Sequence, residues 1–174
     1  RSGNMKSIGR ILAGFDFSPC STLALQHAID AAAATNAELD ILFVEVLHGE
    51  ALNVVSRDKL EQLVEQQLVL RGQPGLKIHF SVERYFAAAP AIVEHAQRTG
   101  ADLVVMGTHG RRGLRALMLG SVAQEVVRRA TIPVLTVRCK TMTDPRVDHV
   151  SHVLVPFDFS THSKRALGKA IDIA

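Results

Sequence analysis

Five short apolar runs, at residues 8–15, 39–47, 76–82, 103–106 and 132–137, are separated by segments of helical periodicity. Runs of this length read as strands, and the periodic spacers as helices. A helix between two strands carries the chain back along the sheet, so consecutive strands run the same way. Such crossovers are right-handed and place helices on both faces of a parallel sheet. The runs also rank the strands. Residues 103–106 (LVVM) are apolar without a break, as a strand covered on both faces requires. Residues 76–82 alternate with Lys77, His79 and Ser81, which places them nearer an edge. Pro133 lacks a ladder donor and fits the start of the last strand.

The helix boundaries carry local signals. Ser18 is a good N-cap and Pro19 a good first helical residue. Ala24, Leu25, Ala28, Ile29 and Ala32 then share one face, and Asn36 is a stop. Residues 52–70 place Leu60, Leu63, Val64 and Leu68 in helical register. Residues 90–98 read as a helix stopped by Gly100, and residues 121–129 as another.

The end of the chain repeats its beginning. Residues 8–32 and 150–174 are identical at 12 of 25 positions without a gap, including Phe-Asp-Phe-Ser and Ala-Ile-Asp. The offset of 142 residues is the size of a small domain, so the pattern is duplication rather than a solenoid. The expected organisation is a domain at 5–138, a linker at 139–149, and the first strand and helix of a second, incomplete domain at 150–174.

Composition excludes several classes. The formal charge is +3, and the basic residues are scattered apart from Arg111, Arg112, Arg115, Arg128 and Arg129. Without Trp, and with one Tyr, base-stacking platforms of the single-strand type are not expected. Nucleic acid is therefore not an expected partner. No apolar run reaches the ~20 residues of a spanning helix, and no signal-peptide core is present, so the expectation is a cytoplasmic protein without a membrane partner. Cys20 and Cys139 form no CxxC and read as reduced thiols. His149 and His152 form no HExxH, so no metal site is expected.

The chemistry concentrates in residues 107–122, GTHGRRGLRALMLGSV, directly after the buried fourth strand. A strand, a glycine loop and a helix N-terminus together make an anion site, with free N–H groups and the positive end of the helix dipole facing the ligand. Gly107 and Gly110 would let backbone approach phosphate, while Gly120, Ser121 and Val122 would supply N–H groups at the helix start. The loop 14–18, Gly-Phe-Asp-Phe-Ser, also follows a strand end. Ligands of such sheets bind beyond the carboxyl ends of the strands. Asp16 reads either as a ligand carboxylate or as a capping acid. There is no GxxxxGK[ST] and no GxGxxG after the first strand.

The spacing is instead G-x2-G-x9-G-S, from Gly107 through Gly110 to Gly120-Ser121. With VVMGTHG, GSVAQEVV, IPVLTV and the first-loop Asp, this resembles the universal stress protein family over residues 6–138, and tandem arrangements occur in that family. The resemblance implies an open five-stranded parallel α/β sheet of order 3-2-1-4-5, Rossmann-like and similar to the adenine nucleotide alpha hydrolases. It implies an ATP site, with or without Mg²⁺. Asp16, with Gly14 and Phe15, would contact the nucleoside; Val46 would pack on adenine and Met106 would border the base or ribose. Gly107, Gly110, Gly120, Ser121 and Val122 would hold ribose and phosphates. One departure is Phe86, where the family commonly has Gly in a Gly-x-Pro turn. The implied function is stress response or signalling through nucleotide-dependent conformation or partner binding, with at most slow ATP hydrolysis because no lysine follows the glycines. The alternatives are an adenylate-chemistry enzyme on the same fold and a nucleotide-free scaffold. The resemblance also implies a homodimer through residues 132–138.

Overall fold

The computed structural model describes residues 7–47, 57–108, 119–138 and 154–173. The chain divides into two units, one spanning Ile8–Pro145 and the other containing residues 154–173. In the larger unit, strands and helices alternate as the periodicity predicts: β1 Arg10–Phe15, α1 Pro19–Thr35, β2 Glu38–Val46, α2 Arg57–Leu70, β3 Ile78–Tyr85, α3 Ala88–Thr99, β4 Leu103–Gly107, α4 Ser121–Arg129 and β5 Val134–Val137. All paired strands are parallel, in the order β3-β2-β1-β4-β5. The expected fold class and strand order are therefore observed.

Alternation along each strand sorts the core into two layers. Ile11, Ala13, Leu39, Ile41, Phe43 and Val105 pack with Ala24, Leu25, Ala28 and Ile29 of α1 and Leu60 and Val64 of α2. Leu12, Leu42, Val104 and Met106 pack on the other face with Ala89, Ile92 and Ala96 of α3 and Ala123 and Val126 of α4. Each fully buried Leu or Ile contributes on the order of 1.5–3 kcal/mol of transfer free energy. Gln26 at the α1–α2 contact donates to Gln67 at 2.8 Å, and Arg71 at the end of α2 pairs with Asp30 of α1.

Helix α1 begins as expected. Ser18 Oγ accepts the Ser21 N–H, Pro19 opens the helix, and Asn36 ends it in the left-handed region at φ 54°. Gly100 closes α3 at φ 69°. Several boundaries differ from the sequence reading: β1, β3 and β5 begin two residues later than their apolar runs, at Arg10, Ile78 and Val134, so Pro133 precedes the last strand. Strand β3 continues through Glu83 and Arg84 to Tyr85 instead of stopping at Val82, because Glu83 pairs with His95 and Arg98, and Arg84 pairs with Glu45. Helix α3 starts at Ala88, with Pro90 inside the first turn, where a missing N–H costs no helical bond. At the amino end of the sheet, Glu38 gathers Lys77, Arg10 and His79. The hydrogen bond from Lys77 is the main reason its carboxyl lies below the ordinary range.

In the second unit, α5 covers Thr161–Ile173. Residues 154–158 form no strand, although the sequence predicts one across VLVPF. A strand is completed by a neighbour's ladder, and apolar patterning alone does not supply one.

Candidate functional site

In the order β3-β2-β1-β4-β5, the connection leaving β1 passes by α1 to β2 on one side, whereas the chain enters β4, on the other side of β1, from α3. The crevice at the carboxyl ends of β1 and β4 is thus where strand order reverses, and it is the expected ligand position in such a sheet. Gly14 of β1 lies opposite Met106 of β4 in register. The two loops singled out in the sequence leave these two strands.

The first loop is an ordered turn. Asp16 Oδ1 accepts the Ser18 N–H at 3.0 Å, and the Asp16 N–H donates to Ser21 Oγ at 3.3 Å. Between them Phe17 adopts φ 63°, and its ring meets Phe15 and Phe43 edge-on. Asp16 is half-buried at the mouth of the crevice. Its carboxylate accepts a bond within the turn, whereas the helix cap itself is Ser18. Phe15 differs from expectation: its side chain is buried in the α1–α2 layer, so only its backbone lies at the strand end.

The second loop leaves β4 at Gly107. A Cβ on Gly107 would lie 2.8 Å from the Cys20 carbonyl carbon and 2.9 Å from Cys20 Cβ. Glycine is therefore required here by the close approach of β4 to the first turn of α1, a constraint that the phosphate reading did not anticipate. Thr108 is buried; its N–H donates to the Val137 carbonyl at 2.8 Å, and its carbonyl accepts the Gly120 N–H at 2.7 Å. This ties β4, β5 and the start of α4 together, and it engages the Gly120 N–H within the fold. Gly110 lies outside the described residues.

Gly120 is the N-cap of α4 at φ −60°, ψ 152°, and without a side chain it offers no cap. The first N–H groups of a helix have no intrahelical acceptor. Those of Ser121, Val122 and Ala123 are such donors, and the first turn of α4 contains no acidic residue. The helix end is positive in character, and no acidic residue of its own first turn offsets it. The sequence reading named Ser121 and Val122; Ala123 is a third first-turn N–H without an intrahelical acceptor, and its side chain gives no signal of that.

Met106 is buried among α3 and α4 residues. Val46 is half-buried at the end of β2, paired with Tyr85 of β3. Strand β1 therefore separates it from β4. The Tyr85 hydroxyl donates to Glu94 of α3 at 2.5 Å, and that hydrogen bond raises the phenol above its ordinary range. Phe86, the departure noted in the sequence, is 83% exposed beside these strand ends and does not enter the core. Among the described residues no group of three or more His, Cys, Asp or Glu could hold a metal, and no helix is long and apolar enough to cross a membrane.

The model of the universal stress protein family matches residues 7–138. A universal stress protein of Mycolicibacterium smegmatis is 36% identical over 137 residues, which cover 74% of this chain and 45% of that protein. The chain thus spans about half the length of that relative. One from Methanocaldococcus jannaschii is 31% identical over 141 residues, covering 74% of this chain and 81% of that protein. Among solved structures, a universal stress protein in complex with cAMP superposes with a TM-score of 0.60 at 26% identity, over 76% of this chain and 98% of its own.

Proposed function

The chain belongs to the universal stress protein family, and on that premise we propose that it binds adenine nucleotide in the crevice between β1 and β4. The observation that carries this reading is the start of α4, which follows the end of β4 and has neither a side-chain cap from Gly120 nor a carboxylate in its first turn. The cAMP held by the structural relative supports the same ligand class. The nucleotide proposed is ATP, with or without Mg²⁺, contacted by Gly14, Asp16, Val46, Met106, Gly110, Ser121 and Val122. Phe15, Gly107 and Gly120 shape the loops that hold them. Occupancy would bias conformation or partner choice in a cytoplasmic stress or signalling role, and hydrolysis would be slow for want of a phosphate-binding lysine. Strand β5 carries Leu135 at 41% exposure, and we assign residues 132–138 to a homodimer contact. Residues 150–174 are assigned to a second domain of the same kind.

A nucleotide-free scaffold is the second reading. It is favoured by the structural duties of Gly107 and Asp16 described above. Mass spectrometry of whatever denatured pure protein releases, with ATP calorimetry on the stripped protein, separates the two. Ser121→Pro is the decisive variant. Gly120 already has the extended backbone that precedes proline, and position N1 needs no N–H, so the fold accepts it. The substitution deletes one donor and one hydroxyl. Losing a hydrogen bond to a charged phosphate should weaken ATP by about tenfold or more. Unchanged affinity in a folded Ser121→Pro would remove Ser121 from the site.

A further inference from the structure

We infer that Thr108 relays nucleotide occupancy at the start of α4 to the edge strand β5, which deepens the nucleotide reading above and rests on it. Two backbone hydrogen bonds make the relay. The Thr108 N–H donates to the Val137 carbonyl at 2.8 Å, and the Thr108 carbonyl accepts the Gly120 N–H at 2.7 Å. Val137 is the last residue of β5, and Gly120 is the residue before α4. One buried residue thus holds the end of the edge strand with one group and the helix start with the other.

The bond to Val137 lies just beyond Gly107 and Val137, the last paired position of β4 and β5. Strand β5 has four residues, and among the described residues only β4 pairs with it. A short edge strand opens locally, far below the cost of global unfolding, and its terminal bonds break first. Opening here releases the Thr108 N–H, and through the Thr108 carbonyl it loosens Gly120. A phosphate on the Ser121, Val122 and Ala123 N–H groups needs Gly120 in place, because Gly120 sets where α4 begins. Nucleotide therefore favours the closed form of β5. A ligand that binds only the closed form suppresses opening in proportion to its concentration over its dissociation constant. Thr108 is a positioning residue in this scheme, acting through Gly120 and Val137. Strand β5 is the one assigned above to the homodimer contact, so occupancy reaches that contact through the same two bonds.

Amide hydrogen exchange on the full chain, read residue by residue by NMR with and without ATP, tests the relay. With ATP about 100-fold above its dissociation constant, the Thr108 amide should exchange up to about 100-fold more slowly. The reference is the Leu39 amide, bonded to the Lys77 carbonyl at the amino end of the sheet, which should slow far less. Gly120→Pro cuts the relay at one bond. The φ of −60° suits a proline ring, the N–H given to Thr108 is lost, and the donors of α4 remain. At saturating ATP, with occupancy checked by calorimetry, the Thr108 amide of this variant should slow no more than Leu39. If the wild-type Thr108 amide slows no more than Leu39 while those of Ser121, Val122 and Ala123 slow, the nucleotide is on α4 and the relay is refuted. Equal slowing of Thr108 in Gly120→Pro and the wild type would also overturn it. Should Gly120→Pro fail to fold or to bind, the wild-type comparison alone decides. If ATP does not bind, or binds without slowing the three α4 amides, the nucleotide reading itself fails and takes the inference with it.

Discussion

Gly107→Ala is the substitution for which the structure gives the sharpest expectation. The added methyl would lie 2.8 Å from the Cys20 carbonyl carbon, 2.9 Å from Cys20 Cβ and 3.0 Å from the Cys20 carbonyl oxygen. None of these is the end of a flexible side chain, so relief requires α1 to move relative to β4. Overpacking of this kind costs about 1–3 kcal/mol. Gly14→Ala is the matched control on the neighbouring strand. Its methyl would meet Met106 Cβ at 3.6 Å and Ile92 Cδ1 at 3.7 Å, ordinary contacts. Relieved of the entropy of a strand glycine, Gly14→Ala should be neutral or more stable by up to about 1 kcal/mol. Urea denaturation without nucleotide reads both, as midpoint shifts at constant slope. Cys20→Ala should not rescue Gly107→Ala, because the clashing atoms remain. If Gly107→Ala and Gly14→Ala prove equally stable, the close-approach argument is wrong. If Gly107→Ala also keeps full stability yet loses nucleotide, the glycine serves the ligand after all.

Asp16→Ala removes the acceptor of the Ser18 N–H and should lower stability without nucleotide by about 1 kcal/mol, read by denaturation. Calorimetry should show a further loss of ATP binding of about 1.5–3 kcal/mol if the carboxylate also meets the ligand; no further loss would confine Asp16 to the turn. Tyr85 is the single tyrosine, so alkaline absorbance titrates it alone. Its phenol is raised by the hydrogen bond to Glu94, so the protonated form is favoured in the fold. That contribution is complete below the ordinary tyrosine range and disappears as pH rises through the elevated value. Glu94→Gln should bring the titration down, and an unchanged midpoint would contradict the assigned cause.

What the sequence made legible was local. Ser18, Pro19, Asn36 and Gly100 act through their own backbones and immediate neighbours, so their helix ends appear where the residues predict. The uninterrupted LVVM run also predicted the twice-covered strand β4. What stayed hidden depended on partners far along the chain. Glu83 and Arg84 look like the end of a strand until His95, Arg98 and Glu45 are placed beside them. Gly107 reads as a phosphate glycine, and the packing of Cys20 against it, distant in sequence, is a second constraint that the sequence does not show. The Gly120 N–H looks like a free donor until the Thr108 carbonyl is seen to accept it. Backbone donors such as Ala123 are set by where a helix begins, and side-chain identity does not announce them.

The repeat shows how far local encoding extends at Asp16. In the second unit Asp158 Oδ1 accepts the Ser160 N–H at 2.9 Å, Ser160 Oγ accepts the Ser163 N–H at 3.1 Å, and Ser163 Oγ donates to the Ser160 carbonyl at 3.1 Å. The first copy has the same bonds among Asp16, Ser18 and Ser21, at 3.0, 3.2 and 2.9 Å. Phe159 at φ 65° and Phe17 at φ 63° match, and the rings of Phe157 and Phe159 meet edge-on as those of Phe15 and Phe17 do. Yet the second copy has this turn without a strand at residues 154–158. The turn therefore belongs to the short Phe-Asp-Phe-Ser sequence and its serine three residues on, independently of the sheet. Hydrogen bonds from Ser160 and Ser163 lower the Asp158 carboxyl to about 2. Its ionised form therefore supports the turn above the ordinary aspartate range, and that support is lost only as pH falls through about 2. An aspartate that builds a turn wherever its tetrapeptide occurs has a structural reason to be there. A ligand contact at Asp16 would need, beyond the turn, the groups that β4 and α4 supply at the same end of the sheet.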